Sequence, residues 1–145
     1  MGLSKKYLNI NPEPVPFSAE KLAEGIRENM PEVVFACIFG SSLRDYIVKA
    51  YSDLDIALYL LEKPSLRFYS KVQDICEEYV GPVRCDVEIL NNAEPVYRFE
   101  AIKGELLFTR DQEAWLRFYS VTCREYEWQM FHYEKQRLYR LEAGK

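Results

Sequence analysis

The sequence predicts an α/β (α+β) fold: a small mixed β-sheet flanked by helices, with one long helix at the C-terminus. Three observations predict it. Short apolar or alternating runs recur along the chain, each suited to a strand. Between them lie segments with apolar residues at helical spacing, bounded by Pro and Gly. After Asp111 neither Pro nor Gly interrupts the chain until Gly144. Strands and helices in alternation bury the faces of a sheet around one core.

The elements follow in order. Pro12, Pro14 and Pro16 leave residues 1–16 as an irregular lead-in. Ser18 is suited to N-cap a helix, with Phe17 and Leu22 placed for a hydrophobic staple. Leu22, Ile26 and Met30 give that helix one apolar face, and Pro31 ends it. Val33 to Phe39 reads as a buried strand. Gly40-Ser41-Ser42 breaks it, and a short helix is expected from about Ser42 to Ala50. A second strand covers Leu54 to Leu61. The helix after Pro64 carries Leu66, Tyr69, Val72, Cys76 and Tyr79, and Gly81-Pro82 stops it. Val83 to Leu90 is the third strand. Glu94 to Lys103 reads as a helix closed by Gly104, and Glu105 to Phe108 as a short fourth strand. Asp111 N-caps a helix reaching Leu141. The expected organisation is a lead-in over 1–16, a domain over 17–110, and a C-terminal helix over 111–145 that packs on that domain or on a partner.

Bulk properties limit the function classes. The 145 residues suit one domain, and an apolar share of 48% is enough for a core without staples. A net charge of −4 argues against a strong, general grip on nucleic acid. No apolar run approaches the roughly 20 residues of a membrane span. Met1-Gly2 is followed by Lys6 where a myristoylation signal needs Ser or Thr, and no secretory signal is visible. Cys37, Cys76, Cys85 and Cys123 form no C-x-x-C pair and lie in apolar or helical stretches. They are expected to be reduced core residues, which favours the cytoplasm.

Chemistry concentrates between Phe39 and Glu88. Residues two apart in a strand point the same way, so Asp53 and Asp55 share a face while Leu54, Ile56, Leu58 and Leu60 take the other. Adjacent carboxylates repel unless a cation or a shared proton lies between them. In the next strand Cys85, Val87 and Ile89 alternate with Asp86 and Glu88. If the two strands are neighbours, Asp86 completes a cluster of three carboxylates. Such a cluster can hold two metal ions that serve a triphosphate and an acceptor hydroxyl. Gly40 and Ser41 follow a buried strand and precede an expected helix start, a combination suited to cradling phosphate. Ser42 and Arg44 lie beside them. A lone Gly-Ser is usually a plain turn and a lone Asp-x-Asp a solvated strand end. The three in-phase acids after a buried strand make the joint pattern informative.

These residues resemble the signature of the minimal nucleotidyltransferases of the DNA polymerase β-like superfamily: Gly-Ser, a spacer of about ten residues, Asp-x-Asp, and a later Asp on a neighbouring strand. The likeness runs from about Val33 to Phe108, and the chain resembles in particular the MntA-type antitoxins encoded beside HEPN-domain toxins. The resemblance implies the nucleotidyltransferase fold. It puts Gly40, Ser41, Ser42 and Arg44 at the nucleotide and Asp53, Asp55 and Asp86 at the metals and the chemistry. It implies Mg²⁺ as cofactor, as two ions, and ATP as substrate. For the antitoxin branch it implies transfer of AMP to a tyrosine of the HEPN toxin. Alternatives are transfer to a small hydroxylated acceptor such as an aminoglycoside, and a binding antitoxin without catalysis. The sequence departs from the family pattern in an eleven-residue spacer, Ser42 to Ser52, and in Leu43-Arg44-Asp45, where relatives carry Ala-Arg-Gly.

Other features have plain readings. Trp115, Phe118, Thr122, Tyr126, Met130 and Tyr133 form one side of the C-terminal helix, by default packed on their own domain. That helix could also serve a homo- or hetero-oligomer. His132 lies far along the chain from the acids. Glu88 either assists a metal or is a solvated strand residue.

Overall fold

The protein is described by a computed structural model over residues 11–144. The expected lead-in lies outside the described residues up to residue 10. The first described elements are a short strand β1, Val15–Pro16, and helix α1, Ala19–Asn29. Strand β2, Val33–Phe39, leads through a single 3₁₀ turn, Ser41–Leu43, to the short strand β3, Ile47–Val48. Strand β4 is Leu54–Leu60, helix α2 Phe68–Tyr79 and strand β5 Cys85–Ile89. A second 3₁₀ turn, Leu90–Asn92, precedes helix α3, Pro95–Lys103. Strand β6, Glu105–Thr109, and helix α4, Gln112–Ala143, complete the order.

The expected mixed sheet with flanking helices and a long C-terminal helix is present. Its four strands run β5-β4-β2-β6. β4 is parallel to β5, and β2 is antiparallel to both β4 and β6. Strand alternation divides the core in two. Leu54, Ile56, Leu58 and Leu60 meet Leu22 and Ile26 of α1 and Val72 and Cys76 of α2 on one face. Phe35, Cys37 and Ala57 meet Ala101 and Ile102 of α3 and Phe118 of α4 on the other. The α4 face is aromatic: Phe35 stacks on Tyr59 at 4.8 Å between centroids and meets Trp115 edge-on at 5.0 Å.

Local chemistry explains the ends. The Ser18 side chain accepts from the Lys21 N–H and starts α1, while Asp111 accepts from the Ala114 N–H at 3.1 Å and starts α4. The Arg110 guanidinium donates to the carbonyls of Arg27, Met30 and Val33, occupying the last carbonyls of α1 as it meets β2.

Three expectations are corrected. The helix expected from Ser42 to Ala50 is one 3₁₀ turn, then a turn over residues 44–46 and β3. Val48 is buried and pairs with Val15, which is a strand contact that helical periodicity cannot reveal. That pairing also orders the end of the lead-in, where Asn11 is buried, accepts from the Tyr51 N–H at 2.8 Å and donates to the Lys49 carbonyl at 2.8 Å. Leu66 lies before α2 and is fully exposed, so it takes no part in the helical stripe. Finally, Cys76 and Cys85 are joined as a disulfide, with Cα atoms 6.6 Å apart, while Cys37 and Cys123 are free. The turn at Gly81-Pro82 folds β5 back along α2 and brings together two cysteines nine positions apart.

Candidate active site

The site lies where β2 ends and β4, β5 and β6 begin. Register sets it. Phe39 pairs with Asp55, and Asp55 pairs with Asp86, so three neighbouring strands reach the same level. Asp53 stands two residues ahead of Asp55, just before β4, and Leu54 is anchored by its N–H to the Arg84 carbonyl at 2.9 Å. Asp55 alternates with the buried Leu54 and Ile56 and therefore faces the α3–α4 side with Ala57. Asp86 shares that side, because parallel Cα partners point alike.

The electrostatics follow from this crowding. Asp55 is half-buried. Burial first, then the charges of Asp86 and Asp53 and a hydrogen bond with Asp86, push its carboxyl up to about 6. A carboxyl raised in this way is one whose charge a cation would stabilise. Hard oxygen donors at the mouth of a site suit Mg²⁺, which takes a few carboxylates and leaves positions for water and phosphate. Among the described residues no group of three or more His, Cys, Asp or Glu side chains is placed to hold a metal ion. The Asp55–Asp86 pair is the close association, and Asp53 adds its field.

Gly40 ends β2 with φ +88° and ψ −163°, a region kept by glycine alone. A Cβ there would run into the Asp55 carboxylate. The backbone thus passes directly over the acid, and Ser41 opens the following turn with its side chain exposed. The turn spans only Ser41–Leu43, so a helix-start cradle is not what stands here; what remains is a tight turn with Leu43 donating to the Gly40 carbonyl at 3.3 Å. Ser42 lies in this turn, and Arg44 follows it, exposed. Asp45 is also exposed.

Of the remaining residues singled out, Glu88 lies one strand pair deeper, opposite Ala57. His132 packs against the Trp128 ring at 4.0 Å on the distal half of α4. Two residues at this sheet end escaped the sequence reading. Tyr46, at φ +52°, donates its hydroxyl to Glu105 Oε1 at 3.0 Å. Glu105 pairs with Ile38 at the start of β6, and its Oε2 is buried without a hydrogen-bond partner. This tether fixes the loop that follows the Gly40 turn. An acid directly after Gly104 was its only trace in the sequence.

The family model described as "Polymerase beta, Nucleotidyltransferase" matches residues 20–113, well over half of the chain. The chain belongs to the polymerase beta nucleotidyltransferase family. No curated protein matches the sequence of this nucleotidyltransferase. Solved structures share its fold. A chain from a crystal structure of a toxin–antitoxin with AMP-PNP superposes with a TM-score of 0.65 at 20% identity, covering 85% of this chain and 96% of that one. One from an MntA–HepT toxin–antitoxin structure gives 0.60 at 19% identity, over 84% and 93%. One from a tri-AMPylated Shewanella oneidensis HEPN toxin in complex with MNT antitoxin gives 0.60 at 21% identity, over 84% and 92%.

Proposed function

We propose that this nucleotidyltransferase transfers AMP from ATP to a tyrosine of a partner HEPN toxin and so acts as its antitoxin. The observation that carries the transfer reading is the register that sets Asp55 beside Asp86, with Asp53 next to them and Gly40 above. The acceptor is supported by the structures of like fold, one holding AMP-PNP and one a tri-AMPylated HEPN toxin with an MNT antitoxin.

In this reading Asp53, Asp55 and Asp86 hold Mg²⁺, as two ions. When bound, the ions neutralise the triphosphate and make an acceptor hydroxyl easier to ionise. Gly40 lets the backbone approach the β- and γ-phosphates, Ser41 supplies a hydroxyl donor with Ser42 beside it at the nucleotide, and Arg44 supplies charge. Asp86 takes the tyrosine proton as the phenolic oxygen bonds to the α-phosphorus. The bond from that phosphorus to the bridging oxygen breaks, and pyrophosphate leaves. The cytoplasm, where ATP is abundant, is the expected setting, and no described helix is long and apolar enough to cross a membrane.

The test is incubation with a candidate HEPN toxin, ATP labelled on the α-phosphate and Mg²⁺, beside an Asp53→Asn/Asp55→Asn control. Label on a toxin tyrosine that requires the intact carboxylates is the expected result. ATP binding without label on protein would instead direct the search to a small hydroxylated acceptor.

A further inference from the structure

The 32 residues of α4 make a rod of about 48 Å, and among the described residues its buried positions, Phe118 and Thr122, both lie in its first half. Phe118 and Thr122 are buried, and Tyr126 stacks on Phe99 of α3 at 3.7 Å. On the side of the helix away from Phe118 and Thr122 runs a second stripe. Arg124, Trp128, Phe131, Lys135, Leu138 and Glu142 recur at alternating intervals of four and three, the spacing of a two-helix seam. Its three apolar members are 66%, 59% and 51% exposed, in chain order. Three large apolar side chains of one stripe left this open mark an interaction surface. An open groove of about 620 Å³ flanks it, lined by Pro95 of α3 and by Val121, Arg124, Glu125, Trp128 and Gln129 of α4.

We infer that this stripe is a homodimer seam, with the α4 helices of two copies packed antiparallel. The argument is charge complementarity. In the antiparallel register centred between Phe131 and Lys135, Arg124 meets Glu142 of the second copy, Trp128 meets Leu138, and Phe131 meets Lys135. Each contact occurs twice by symmetry. Every layer is apolar, cation against ring, or cation against carboxylate. In the parallel arrangement Arg124, Lys135 and Glu142 would each face their own copy, putting three like-charge layers in one seam. Glu134 lies beside the twofold axis, and its charge is already paired with Arg137 at 2.8 Å. Lys135 sits over Phe131 within its own chain, 5.4 Å from the centroid, so the seam exchanges that contact for the same cation–ring contact between copies. The inference does not depend on the proposed adenylyl transfer.

Sedimentation equilibrium of the purified chain alone tests it. At micromolar concentration the expected mass is twice the 17.1 kDa of one chain. Arg124→Glu places like charges in two layers and weakens the dimer by roughly 10-fold or more. Adding Glu142→Arg restores it. These residues are exposed, and circular dichroism checks that both variants stay folded. Mixing a Trp128→Cys chain with a Leu138→Cys chain gives a cross-linked dimer that neither chain gives alone. A monomeric wild type, a dimer indifferent to Arg124→Glu, or Trp128→Cys chains that cross-link to each other would overturn the antiparallel seam.

Discussion

Gly40 lies directly against the Asp55 carboxylate, with no space for a side chain between them. The contact couples the turn after β2 to the acid at the start of β4. It also separates two glycines that look alike in sequence. Gly81 has φ +116°, yet a Cβ there would meet only Val15 at an ordinary 3.6 Å. Gly40→Ala is therefore expected to strain the backbone by about 1–3 kcal/mol and to displace Asp55. Label transfer should fall on the order of 100-fold, as misplacement of a reacting group by an ångström does. Gly81→Ala should cost strain only and leave transfer near wild type. Parallel thermal melts and transfer assays on the two variants decide it, and equal transfer by both would show that the contact is incidental.

Asp55 also ties stability to pH. In the metal-free protein its carboxyl titrates near 6 in place of its usual 3.8, chiefly through burial and then through Asp86 and Asp53. The folded state then binds more protons than the unfolded state between those two values. Stability contributed by the protonated form is whole below about pH 4 and is lost as pH rises through about 6. Asp55→Asn stays neutral and lacks this loss. Urea midpoints in EDTA at pH 4.5 and 7.5 should show the variant gaining on wild type at the higher pH. Two proteins that keep the same difference at both pH values would refute the raised titration of Asp55.

At the opposite end of β4 a side chain replaces a missing strand. Asn91 accepts from the Leu60 N–H at 2.9 Å and donates to the Leu60 carbonyl at 2.8 Å, extending the ladder after β5 has ended. Leu60 is buried, so losing these partners strands two backbone groups. Asn91→Ala is expected to cost about 1–3 kcal/mol. Asn91→Asp keeps the shape but sets a carboxylate against the carbonyl, and should cost at least as much. Chemical denaturation measures both. Transfer at low temperature should be unaffected, because the carboxylates lie about 16 Å away along the strand.

The strands and the acid cluster were legible because both rest on the two-residue period. Leu54, Ile56, Leu58 and Leu60 alternate with Asp53 and Asp55, and Cys85, Val87 and Ile89 with Asp86, so each acid's face was fixed before the strands were paired. Pairing β4 with β5 was the step the sequence left to inference. The segment from Ser42 to Tyr51 was not legible, since its order comes from partners distant in the chain: Val15 for Val48, Asn11 for Tyr51, Glu105 for Tyr46. The Cys76–Cys85 link was hidden for a related reason. Each cysteine fits an apolar stripe by itself, and only the reversal at Gly81-Pro82 brings them together.

That link yields the last prediction. It closes a loop of nine positions between α2 and the first residue of β5, directly before Asp86. Restricting the unfolded chain over such a loop stabilises by about 2–3 kcal/mol. Cys76 also packs in the core with Val72 and Ile75, and that packing does not need the bond. The reduced protein, the form expected in a reducing cytoplasm, should thus stay folded but unfold at lower urea. Cys76→Ser/Cys85→Ser should match the reduced form and ignore reductant. Alkylation under native conditions gives an independent check. Burial raises the Cys37 thiol to about 12, so it should stay unmodified with or without reductant. Cys76 is buried to the same degree, so reductant should add modification at the half-buried Cys85 alone. An unchanged urea midpoint on reduction would mean that packing by itself holds β5 against α2, and with it the position of Asp86.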